Sequence, residues 1–118
     1  MTAADLVGEF SIIGSNQNDS NLNYRGTLTL QLDENKRINA KWLIHNEQEQ
    51  TGSGFFKDNI LVINFQYLDE ESFVYKGTVV YRCLTKDILD GFWSEEHGNP
   101  KFIGTERCFR IKENIEVS

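Results

Sequence analysis

Proline is almost absent from this chain of 118 residues, with Pro100 the only one. A ring that deletes a backbone donor interrupts ladders, so its scarcity leaves regular elements free to run. Cysteine is nearly as rare: Cys83 and Cys108 stand 25 positions apart. That spacing fits no zinc or redox motif, and the expectation is two small buried hydrophobes in a reducing compartment. A Cys83–Cys108 disulfide is the alternative. Basic charge is in deficit too, since 12 Lys and Arg against 18 Asp and Glu leave a formal net charge of −6. An acidic chain repels phosphates, which excludes nucleic acid and anionic membrane surfaces as expected partners. No apolar run approaches the length of a membrane span. The start, Met1-Thr2-Ala3-Ala4-Asp5-Leu6, has neither the basic nor the apolar region of a signal peptide, so a cytoplasmic protein is expected.

What is present is aromatic and strand-forming: eight Phe, four Tyr and two Trp. The length suits one domain over residues 1–118, large enough to bury its own core. Short apolar runs predict strands near 7–13, 22–32, 37–45, 48–56, 59–67, 72–84, 88–95 and 102–111. Clusters rich in Asn, Asp and Gly separate them, among them Asp33-Glu34-Asn35-Lys36, Asn46-Glu47, Lys57-Asp58 and Asp69-Glu70-Glu71. Links this short force antiparallel neighbours. The one helical signal is a single turn at Thr2–Leu6, with Thr2 as its N-cap.

An internal repeat organises the rest. Tyr24-Arg25-Gly26-Thr27 and Trp42 recur as Tyr75-Lys76-Gly77-Thr78 and Trp93, each 51 positions on. Two matching halves are too few for an open array, whereas a closed barrel, or two packed sheets, buries both and leaves no long edges. The predicted fold is therefore all-β: a small eight-stranded antiparallel up-and-down barrel of two similar four-stranded halves. Alternation puts Tyr24, Leu28, Leu30, Ile38, Ala40 and Trp42 inside, with Tyr75, Val79, Tyr81, Cys83, Leu89 and Trp93 as their counterparts. Phe10, Ile12, Leu61, Ile63 and Phe65 complete that set. Inward glycines Gly26, Gly77 and Gly91 make room for bulky rings. Outward Leu43, Val80, Leu84 and Phe92 are candidates for a subunit interface or for contacts with the termini.

Candidate chemistry is sparse. Tyr24, Trp42, Tyr75, Tyr81 and Trp93 form an aromatic lining that could cradle a flat or apolar ligand, or else fill the barrel outright. Glu106, in Gly104-Thr105-Glu106-Arg107, becomes a buried carboxylate if it faces inward with Cys108. Otherwise it sits at the rim or holds Tyr24, Tyr75 or an indole in place. Apolar Ile103, Phe109 and Ile111 on the opposite register leave its face open. His45 and His97 lack a metal-ligand partner motif and read as surface residues. Gly52-Ser53-Gly54 lacks the following Lys and helix of a phosphate loop, so a bulged strand is expected. No serine stands in a nucleophile elbow, and Asp69-Glu70-Glu71 reads as a solvated turn. No motif asks for a cofactor or metal.

Eight strands, inner Trp residues and Gly-Thr hairpins resemble the calycin-type barrels: lipocalins, fatty-acid-binding proteins and the avidin group. Gly8-Glu9-Phe10 is similar to the Gly-x-Trp opening of lipocalins and avidins, with Phe10 in place of Trp, and Phe92-Trp93 to an inner Trp of a late avidin strand. The avidin set of polar ligand contacts and the lipocalin disulfides have no counterpart here. The resemblance implies a barrel that binds a small apolar or aromatic molecule in its mouth. Two other classes stay open: a solid-core module for oligomers or protein partners, and a cofactor-free isomerase or lyase using Glu106 with a tyrosine.

Overall fold

The computed structural model describes residues 1–20 and 22–112. Eight strands follow one 3₁₀ turn at Ala3–Leu6: Gly8–Ser15 (β1), Asn23–Leu32 (β2), Ile38–Ile44 (β3), Gln48–Lys57 (β4), Ile60–Leu68 (β5), Val74–Thr85 (β6), Ile88–Glu95 (β7) and Gly104–Arg110 (β8). Each strand pairs antiparallel with its sequence neighbours, and β8 returns to β1 to close the barrel. This is the predicted architecture. Strands four apart in a closed ring of eight face each other across the axis. The repeat obeys that rule, because β2 matches β6 and β3 matches β7.

Local chemistry sets the turns. Asp58-Asn59 takes positive φ at both residues, 51° and 63°, as the two-residue hairpin between Lys57 and Ile60 requires, and His45-Asn46 does the same within the three-residue link from Ile44 to Gln48. The loops after β2 and β5 share one design. Asp33 accepts the backbone N–H groups of Asn35 and Arg37, and Asp69 accepts those of Glu71 and Phe73. The acidic run after β5 is thus a turn held by its own first side chain. Gly52 and Gly54 sit in unbroken register with both neighbours, not in a bulge. A Cβ at Gly54 would collide with the Val62 backbone carbonyl, so the glycines allow β5 to approach closely. The register shift recorded among the described strands lies instead at Cys83/Thr85, between β6 and β7.

One end of the barrel is plugged. Leu6, fully buried, caps a packed layer that includes Phe10, Leu30, Ile38, Leu61 and Leu89. Arg110 locks the plug. Its guanidinium donates to the carbonyls of Asp5, Val7 and Lys86 and to Asp87 Oδ1 at 2.7–2.8 Å, and lies 4.7 Å from the Phe10 ring centre. Thr2 caps the turn as expected, its backbone N–H donating to Asp5 Oδ2 at 2.7 Å.

Both cysteines are free and buried. Cys83 on β6 and Cys108 on β8 are each the register partner of Leu89, so β7 separates them. Two strand spacings put their backbones about 9–10 Å apart, beyond the reach of a disulfide. Burial raises the Cys83 thiol to about 11 and holds that of Cys108 high as well. Neither thiol is expected to react with a thiol reagent in the native protein at neutral pH, and both should react once it is unfolded. Labelling of even one before the unfolding transition would contradict this burial.

The outward apolar quartet is not one surface. Val80 and Phe92 are register partners on β6 and β7, joined through Val62 to Phe55. Leu43 stands on β3, with β4 and β5 between it and Val80, and Leu84 lies beyond Arg82 along β6. Leu43 therefore stands apart from Val80, Leu84 and Phe92, which share the neighbouring strands β6 and β7.

Candidate functional site

The end opposite the plug is open. A cavity of about 240 Å³ enters there, bordered by Tyr24, Trp42, Phe65, Tyr67, Trp93 and Glu106, with Gln48, Gln50 and Glu95 nearer its mouth. Phe65 meets both indoles edge to face, at centroid distances of 6.1 Å to Trp42 and 6.2 Å to Trp93. The matched tryptophans therefore look into one shared space.

Glu106 forms the floor, and two glycines put it within reach of two tyrosines. On β8 its register partners are Gly14 of β1 and Gly91 of β7. With no side chain at Gly14, the ring of Tyr24 crosses from β2 and donates to Glu106 Oε1 at 3.2 Å. With none at Gly91, the ring of Tyr81 crosses from β6 and donates to Oε2. Each tyrosine is supported in turn. The Trp93 indole N–H donates to the Tyr24 hydroxyl at 2.9 Å, and that of Trp42 donates to the Tyr81 hydroxyl at 3.2 Å. Two indole–phenol relays thus converge on one carboxylate from opposite sides. Among the described residues no buried side-chain polar atom lacks a partner.

Electrostatics follow from burial. Glu106 is only 4% exposed, and desolvation raises its carboxyl to about 7 although both tyrosine bonds pull the other way. The same desolvation, with the Glu106 charge beside them, pushes Tyr24 and Tyr81 far above the ordinary phenol range. Both phenols keep their protons, while the carboxyl can gain or lose one near neutrality. At the mouth, burial and a hydrogen bond to Glu95 likewise raise Tyr67. Glu95 is placed by its backbone N–H, which donates to Gln17 Oε1 at 3.0 Å. Gln17 also donates to the carbonyls of Asn99 and Phe102, joining the β1–β2 and β7–β8 loops over that side.

Neither a family model nor a curated protein sequence matches the chain. Solved structures do. It is similar to a redesigned β-barrel with TM-score 0.68 and 13% identity, covering 94% of this chain and 96% of that one. It is also similar to a de novo designed fluorescence-activating β-barrel, with TM-score 0.64 and 14% identity, covering 92% and 96% respectively. The likeness is one of fold. It establishes the closed eight-stranded antiparallel barrel and leaves the site to its own residues.

Of the six residues expected in the lining, Tyr24, Trp42, Trp93 and Glu106 border the cavity. Tyr81 is fully buried behind them and reaches only the floor carboxylate. Tyr75 is a correction. It is 39% exposed, stacks on Tyr67 at 5.2 Å and donates to Asp69. The cause lies in its neighbour. Tyr24 faces Gly14 across the register, whereas Tyr75 faces Tyr67, whose ring occupies the inward path. Glu106 faces inward, resolving the ambiguity of β8, since Ile103, Phe109 and Ile111 are all exposed. His45 is an exposed turn residue at the cavity mouth. Phe65, Tyr67 and Glu95 belong to the site without having been singled out for it. The same alternation would have found them, because Phe65 and Tyr67 continue the parity of Leu61 and Ile63, and Glu95 that of Trp93.

Proposed function

We propose that this protein is a binding module that takes up a small, flat aromatic molecule at the open end of the barrel, between Trp42 and Trp93. One observation carries the reading: an open aromatic cavity ends on an ionisable carboxyl that packing alone does not require. A solid core gains nothing from a buried Glu, which costs stability whenever it ionises. Sites for ligands and chemistry are where such groups collect. The resemblance to calycin-type barrels points the same way, toward a ligand in the mouth.

The cavity volume limits the ligand. About 240 Å³ falls below the roughly 300–1,000 Å³ usual for drug-sized ligands. One or two fused rings suit it, and long acyl chains or bilins do not. Both tryptophans report on the site, so intrinsic fluorescence is the direct assay. Benzamide or quinoline is expected to give a saturable change in emission, while a long-chain fatty acid leaves it unaltered. A flat response to every one- and two-ring compound would remove the reading.

A further inference from the structure

We infer that the ligand carries a cationic N–H donor on its ring, an amidinium, aminopyridinium or imidazolium, that docks against the carboxylate of Glu106; this rests on the binding role proposed above. Donor capacity is the first ground. The indole N–H groups of Trp42 and Trp93 are spent on Tyr81 and Tyr24. Those two hydroxyls are spent on Glu106, and the Tyr67 hydroxyl is spent on Glu95. The aromatic wall therefore has no donor left to offer. Acceptor capacity remains, because an ionised carboxylate has about four lone-pair positions and the two tyrosines fill two.

Charge is the second ground. The cavity is bordered by two carboxylates, Glu95 and Glu106, and among the described residues no Lys or Arg borders it. Among the described residues Glu106 joins no ion pair either, although it is almost wholly out of water. A ligand cation supplies the counter-charge that the fold omits, and in a desolvated site such a bond is charge-assisted and directional. The third ground is the wall itself. Trp42, Phe65 and Trp93 border the cavity, and an aromatic wall favours a planar cation over a neutral ring of equal size. Anionic rings meet repulsion from both glutamates.

Ring-matched probes test this by calorimetry on the full chain near pH 8: benzamidine, benzamide, benzoate and toluene. Benzamidine is expected to bind at least tenfold more tightly than benzamide, with no saturable binding of benzoate. Glu106→Gln, which keeps the side-chain volume and can still bond both tyrosines, should bring benzamidine and benzamide within about twofold. Glu106→Asp keeps the charge and should retain the preference, which separates loss of the carboxylate from damage to the fold. Equal binding of benzamidine and benzamide, or tighter binding of benzoate, overturns the cationic selection while ring binding stands. Failure of all four probes overturns both.

Discussion

Glu106→Gln should make the protein more stable at about pH 8, by as much as about 3 kcal/mol, and should flatten its stability between about pH 4.5 and pH 7. Burial holds the folded-state carboxyl near 7, against an ordinary value of 4.5. In that interval the folded chain binds more protons than the unfolded one, so stability falls as pH rises and the penalty is complete above 7. Below 4.5 both states are protonated and the penalty disappears. Glutamine removes the ionisation and keeps the bonds. Its amide oxygen accepts from Tyr81 and its NH₂ donates to the Tyr24 oxygen, whose own hydrogen turns to the Thr105 carbonyl at 3.4 Å. Glu106→Leu lacks that exchange: Tyr24 can still turn to Thr105, but the buried Tyr81 hydroxyl loses its acceptor, at about 1–3 kcal/mol. Urea unfolding of parent and Gln variant at several pH values checks this. Parallel stability curves across the interval would mean that Glu106 is not desolvated as described.

Gly54→Ala is expected to cost more than about 3 kcal/mol, above the usual range for overpacking a core. The added methyl group would meet only backbone: the Val62 carbonyl oxygen and carbon and Ile63 Cα. No rotamer change relieves that, so β4 and β5 must part, and their pairing runs from Thr51 to Lys57. Gly104→Ala provides the contrast. Its methyl group would meet the Trp93 ring, which borders the cavity and can swing toward it. There the cost should stay within about 1–3 kcal/mol, while Trp93 emission shifts and ligand affinity drops. Denaturant midpoints for the two variants measure the difference. A Gly54→Ala protein as stable as the parent would show that β5 does not pack as closely as its register implies.

Most of the cavity lining is legible in the sequence, and the gaps arise where local alternation gives no direction. Tyr24 and Trp42 face inward by the alternation of their own strands, and the repeat carries that face to Trp93. Glu106 has no such guide, because β8 is apolar on both faces and only exposure distinguishes Cys108 from Phe109. Its tyrosine partners were out of reach for a different reason. The repeat offers Tyr24 and Tyr75, yet the carboxylate uses Tyr24 and Tyr81. Tyr81 occupies the position matched by Leu30 in the other half, so the halves part company where the polar floor is built.

Alone, the chain's residues determined the eight strands, their antiparallel order and the inward face of the strands with clean alternation, though not of β8, because turn chemistry and two-residue alternation are local properties. They also determined that two tryptophans would occupy matching positions. Only the closed barrel decided which inward residues end up deep and which lie at the rim. Depth depends on stagger between strands and on the residue opposite: Gly14 admits Tyr24, and Tyr67 turns Tyr75 away. Closure of β8 onto β1, far apart in the chain, is what set Glu106 between two glycines and gave its carboxylate two tyrosines.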